Sequence, residues 1–301
     1  MKKEMESRHK PVLLNETIEG LDLHDGDVVL DGTLGGGGHA LEICHRFPGA
    51  KIIALDQDAG AIRQAREKFK DCRINFHNEN FRNLDKVLIK EGLEKVSAVI
   101  LDLGLSSDQL QNSSRGFSFM KSEPLFMTMK ENPRPDDLTA EMMVNEWREQ
   151  SLADIIYGYG QERYGRKIAR GIVEAREKGR IKTTAELVEI IRQSVPPPYR
   201  RGKIHFATRT FQALRIAVND ELRALSEGLA KGFEALKPSG RMAVISFHSL
   251  EDRIVKKFFK EKEKENRAKL INKKPIVAGE EELKENPKSR SAKLRIAEKI
   301  K

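Results

Sequence analysis

The sequence predicts an α/β fold: a doubly wound parallel sheet whose chain is interrupted by a helical insertion. Three observations carry this. Apolar runs at 28–30, 52–55 and 98–101 each end in a carboxylate: Asp31, Asp56 and Asp102. A glycine turn, Gly32 to Gly38, joins the first run to a helical pattern. From about Asn112 to Phe206 the strand signals stop and helical periodicity takes over.

The run Val28 to Leu30 suits a strand covered on both faces. After the turn, Ala40, Ile43, Cys44 and Phe47 fall at i, i+3, i+4 and i+7, one buried helix face. A strand that feeds a helix through glycines lets the backbone approach a ligand and points free N–H groups at it. That suits a nucleotide-like cofactor. Gly35-Gly36-Gly37-Gly38-His39-Ala40 satisfies G-x-G-x-x-A, with Asp56 at the distance of a ribose ligand. On spacing alone a nicotinamide dinucleotide and S-adenosylmethionine both fit. Asp31 favours the second, because a carboxylate there would repel a pyrophosphate but attract the amino group of a methionine tail.

The second strand, Lys51 to Asp56, leads to Asp58, a good N-cap for a helix carrying Ile62, Ala65 and Phe69. Asp56 is the better ribose ligand and Asp58 the better cap. A third strand spans about Arg73 to His77. Phe81 follows it, placed to stack on an adenine or to fill the core; spacing does not separate the two. The fourth strand, Ala98 to Gly104, places Asp102 at the same sheet edge, where doubly wound folds bind ligands.

In the insertion, Asp137 is expected to cap a helix carrying Met142, Met143 and Trp147. A second helix near Arg163 to Lys178 has the stripe Tyr164, Ile168 and Ile172, with Arg163, Lys167 and Arg170 on a neighbouring face. Thr183 and Glu186 form a capping box for a third, which stops before Pro196-Pro197-Pro198. Arg200-Arg201-Gly202-Lys203 adds a positive cluster. One long helix is expected from about Thr208 to Leu236, then a fifth strand from Arg241. His248 stands between two serines without a nucleophile elbow, which argues against a hydrolase. Lys256 to Lys288 reads as a solvated helix and a loop, and Ala292 to Ile300 as a last strand.

The chain has 301 residues, a formal net charge of +9 and a sequence pI of about 9.4, which favours a polyanionic partner, nucleic acid ahead of a membrane. Its two cysteines, Cys44 and Cys72, cannot build a disulfide framework or a metal cluster, and Cys44 is expected as a small core residue. Met1 to Lys10 is charged and lacks the apolar stretch of a signal peptide. A cytoplasmic location, with no bound metal, is expected.

Longer motifs add a family resemblance. Asp31-Gly32-Thr33 with Gly37-Gly38-His39, Asp102-Leu103-Gly104-Leu105-Ser106-Ser107 with Gln109, and Arg115-Gly116-Phe117-Ser118-Phe119 resemble the small-subunit ribosomal RNA methyltransferase H family. Ala207-Thr208-Arg209-Thr210-Phe211-Gln212-Ala213 and Ser246-Phe247-His248-Ser249-Leu250-Glu251-Asp252-Arg253 continue it over nearly the whole chain. The resemblance implies a Rossmann-like class I methyltransferase sheet with an inserted all-helical domain, divided as 1–111, 112–206 and 207–301. It implies transfer of a methyl group from S-adenosylmethionine to N4 of a cytosine in the decoding region of bacterial 16S rRNA. Carried over by position, the cofactor site falls on Gly37, Gly38, His39, Asp56, Phe81, Asp102 and Gln109, with Asp102 also the candidate catalytic group. The chain departs at Phe126-Met127-Thr128, where the family usually has Asp-Met-Arg, at Phe206, where proline is common, and at Asp108. The altered stretch leaves room for a rival, an RNA-binding ribosome assembly factor with weak or lost methyl transfer.

Overall fold

The computed structural model describes residues 11–301; the charged stretch 1–10, and the expectation attached to it, lie outside them. Two compact units make up the chain, one formed by residues up to 106 with 222–301, the other by 107–221.

The first unit is a seven-stranded sheet in the order β3-β2-β1-β4-β5-β7-β6. Its strands are β1 (Val28–Asp31), β2 (Lys51–Asp56), β3 (Ile74–Asn78), β4 (Val96–Asp102), β5 (Leu236–Ser246), β6 (Ala268–Leu270) and β7 (Lys293–Lys299). The first five are parallel, and β7 runs antiparallel to both β5 and β6. This is the expected doubly wound α/β sheet, with its first five strands parallel.

Alternation along the strands separates two cores. Val29, Ile52, Ala54 and Ile100 face the helices Leu14–Leu21, Gly38–Arg46 and Ala59–Lys68; Leu30, Ile53, Val99 and Leu101 face Leu84–Lys90, Glu221–Ala235 and Ser249–Lys264. Sheet residues buried on both sides explain why the strands read as continuous apolar runs. Among the described residues no helix is long and apolar enough to cross a membrane.

Within the second unit the helices Glu149–Gly158, Gly165–Arg176 and Thr184–Ser194 pack in succession, and Thr208–Asn219 packs on Glu149–Gly158 and Ala140–Glu146. Buried Ile156, Ile168, Ile172, Leu187, Ile191 and Leu214 make its interior. The capping box is formed: Thr183 accepts from the Glu186 N–H, and the Glu186 carboxylate accepts from the Thr183 N–H.

Several expectations need correction. The long helix 208–236 is two helices, broken at Asp220, whose φ of 50° puts it in the left-handed region. The apolar stripe continues through the break, so periodicity does not reveal it. The first of these helices packs on the insertion's own helices and belongs to the second compact unit, 107–221. Thr139 caps the helix Ala140–Glu146, while Asp137 accepts from the Arg134 N–H and from Lys130. The segment read as solvated helix and loop contains the strand β6; three residues in a charged run give too little alternation to see. Cys44 is not a lone core thiol: it is joined to Cys72 by a disulfide, with Cα atoms 5.7 Å apart. The sheet order brings the approach to β3 beside the end of helix Gly38–Arg46, a proximity invisible in the sequence.

Candidate active site

The site forms at the carboxyl edge of the sheet. Asp31 pairs in register with Ala54 on β2 and Ile100 on β4. Asp56 and Asp102 lie two residues further along those strands, so all three carboxylates belong to the face that carries the helix Gly38–Arg46. Like charges are thereby gathered on three adjacent strands.

Asp31 is buried, and its Oδ1 accepts from the Thr33 N–H at 3.1 Å. Burial, with the Asp56 charge nearby, pushes its pKa from 3.8 up to about 7. Asp102 keeps 23% of its side chain exposed, but its Oδ1 is buried and has no hydrogen-bond partner. Its backbone N–H donates to Thr33 Oγ1 at 2.6 Å, so Thr33 ties β4 to the glycine turn. Burial, then the charges of Asp31 and Glu251, push its carboxyl up to about 8. Glu251 is itself buried and accepts from the Phe247 and His248 N–H groups. An orphaned buried carboxylate oxygen among other carboxylates is a place where a cation lowers the energy of the protein.

The glycine turn wraps the same edge. Gly35 and Gly37 have φ of 51° and 78°, which L-residues rarely adopt. A side chain on Gly37 would meet the Phe69 ring at 2.8 Å. The Gly35 N–H donates to Asp56 Oδ2 at 2.8 Å, while Asp56 Oδ1 accepts from the Asp58 N–H. Asp58 accepts from the Gly60 N–H and caps the helix Ala59–Lys68, the structural role expected of it. Gly38 starts the next helix, and His39 is buried in its first turn. The His39 Nε2 lies 3.2 Å from the Val12 carbonyl, which can only accept, so Nε2 carries a proton. Its Nδ1 is 3.7 Å from Asp102 Oδ2.

Phe81 is half-buried in a short 3-10 turn after β3. One side of it lies beside Gly32, at the start of the glycine turn, and its ring packs where Gly228 leaves room. The Asn80 amide donates to Gln57 Oε1, linking the ends of β2 and β3. Gln109 is buried in the second unit. The structure therefore gathers Gly37, Gly38, His39, Asp56, Phe81 and Asp102 in one unit, and carries Gln109 in the other.

Thr33 and Glu251 escaped the residue-by-residue reading. A threonine inside a glycine turn carries no spacing signal of its own. Glu251 closes a capping box with His248, which accepts from the Glu251 N–H, and histidine is not among the preferred capping residues. His248 is thus a helix cap.

A family model described as the MraW methylase family matches residues 6–300. The chain belongs to that family. A ribosomal RNA small subunit methyltransferase H of Carboxydothermus hydrogenoformans is 48% identical, over 98% of this chain and 99% of its own length. The proteins of the same name from Acetivibrio thermocellus and Persephonella marina are 47% and 44% identical, over 98% and 97% of this chain and 100% and 99% of their own. For this MraW-family chain the altered stretch after Phe119 is firmly held within its unit. Met127 N–H donates to the Arg115 carbonyl, Arg115 donates to the Met129 carbonyl, and Asn219 bonds the backbone of both Met127 and Met129.

Proposed function

We propose that this chain transfers the methyl group of S-adenosylmethionine to N4 of one cytosine in the decoding region of bacterial 16S rRNA, acting on the small ribosomal subunit in the cytoplasm. The observation that carries the cofactor reading is the buried, unpartnered Asp102 Oδ1 beside Asp31. A methionine tail brings an ammonium group and a sulfonium, and either positive charge relieves this crowding of carboxylates. The names of the full-length relatives support the rRNA substrate.

The glycine turn at Gly37 and Gly38, with His39, lies along the methionine end. Asp56, at the end of β2, would accept from the ribose hydroxyls. Phe81 stacks on the adenine, and Gln109 completes the set that the family resemblance assigns. When bound, the cofactor supplies an electrophilic methyl group. The exocyclic amine of cytosine is a weak nucleophile because its lone pair is delocalised into the ring. The protein's task is alignment, together with an acceptor for the amine N–H that returns electron density to nitrogen. Asp102 can provide this acceptor in its ionised form, and the product ammonium loses its proton to solvent. The base has to leave its stack to react.

The test is transfer from labelled S-adenosylmethionine to small subunits lacking the modification, followed by digestion and mass spectrometry. Label as N4-methylcytosine at a single position, lost in Asp102→Ala, is the expected result. Label on another base, or no transfer by the unaltered protein, would refute the assignment.

A further inference from the structure

The second unit contains an array of flat rings that the proposed reaction does not use. Phe119 and His205 stack with centroids 4.5 Å apart and planes 7° from parallel; His205 and Phe206 stack at 4.2 Å and 30°. At such short separations the two phenylalanines occupy opposite faces of the imidazole, giving a three-ring stack. Phe211, buried in the unit's interior, meets Phe119 edge-on at 5.5 Å and anchors one end. At the other end Phe206 keeps part of its surface exposed, His205 is exposed, and no further ring of the described residues stacks on Phe206.

The array is held in place by the backbone. The Ala207 N–H donates to His205 Nδ1 at 3.3 Å, and the Thr208 N–H donates to the His205 carbonyl at 3.0 Å, immediately before the helix Thr208–Asn219. A ring nitrogen that accepts from an amide keeps the imidazole neutral, and partial desolvation between its neighbours lowers its pKa. The stack is therefore an uncharged, flat surface. Arg201 and Lys203, a few residues earlier, are exposed and have no ion-pair partner among the described residues. Arg163 makes a useful contrast, because its guanidinium already lies over both Tyr164 and Tyr199.

We propose that the Phe119–His205–Phe206 stack is a platform for an unpaired RNA nucleobase, which stacks on the open face of Phe206 while Arg201 and Lys203 take the adjoining phosphates. Open-ended aromatic stacking beside unpaired cations is the chemistry that binds single-stranded nucleic acid with little dependence on sequence. A base on Phe206 would extend the existing ring spacing by one layer. The platform rests on the reading of the substrate as RNA, and concerns a base flanking the target, since nothing in the array performs chemistry.

Equilibrium binding of a short, fluorescently labelled single-stranded RNA to the full chain tests this, with Phe206→Leu and Phe206→Trp compared. Phe206→Leu keeps an apolar side chain and removes the flat ring; it should weaken RNA binding about tenfold. Phe206→Trp should restore it, with the melting temperature and the S-adenosylmethionine affinity unchanged in both. RNA carrying 5-iodouridine should photocrosslink to Phe206. Equal RNA affinity for Phe206→Leu and the unaltered protein would overturn the proposal, as would failure of Phe206→Trp to restore binding or absence of single-strand binding altogether. Failure of the methyltransferase reading looks different: no methyl transfer to small subunits, with RNA binding that still depends on Phe206.

Discussion

The sheet edge and the aromatic array are chemically opposite. At the sheet edge, carboxylates at the ends of β1, β2 and β4 crowd together, and burial raises Asp31 and Asp102 far above their usual range. In the array the rings are neutral, and the exposed cations Arg201 and Lys203 lie a few residues earlier in the chain. The net charge of +9 thus hides a division of labour. A basic chain keeps a buried acidic sheet edge suited to a cationic cofactor, while on the proposed reading its exposed positive charge serves a polyanion.

The largest expected effect comes from removing charge at the sheet edge. Asp102→Asn should weaken S-adenosylmethionine binding by about 30-fold or more, read by calorimetry, because a buried charge on the ligand loses its partner. Methyl transfer should fall with it. RNA binding should be unaffected.

Proton linkage sharpens the same contrast. Both raised carboxyls lie above their unfolded value of 3.8, so the folded protein holds protons that the unfolded chain has released. Stability of the free protein should therefore fall as pH rises from about 4 towards 8, and Asp31→Asn should flatten that slope in thermal melts. Cofactor affinity should move the other way, rising several-fold between pH 6 and 8.5 as the carboxylates ionise.

Two smaller effects separate the units by stability. Gly37→Ala puts a side chain at φ of 78° against the Phe69 ring, and should destabilise the protein by about 1–2 kcal/mol. It should weaken the cofactor as well. Thr183→Ala removes one half of a capping box in the second unit, at a cost of about 1 kcal/mol. Hydrogen exchange should show the loss confined to the helix Thr184–Ser194, with cofactor affinity unchanged.

The two regions were unequally legible. Asp31, Asp56 and Asp102 stand out because each closes an apolar run, and parallel strands align such ends at one edge. The glycine turn announces itself for the same local reason. The raised pKa of Asp102 was not legible, because it depends on burial first, and then on the charges of Asp31 and Glu251, all of which only the fold assembles. Nor was the aromatic array: Phe119 and His205 lie in separate motifs, and only folding of the second unit stacks them. The Cys44–Cys72 bridge shares that character, while the left-handed break at Asp220 and the Thr139 cap are local features that hydrophobic periodicity does not record.

The most direct test of this division is a crossed measurement on two variants: the affinities for S-adenosylmethionine and for single-stranded RNA, each determined for Asp102→Asn and Phe206→Leu. The account predicts that Asp102→Asn loses the cofactor and keeps the RNA, while Phe206→Leu loses the RNA and keeps the cofactor. Either variant weakening both ligands to the same degree, or Asp102→Asn binding the cofactor as tightly as the unaltered protein, would contradict it.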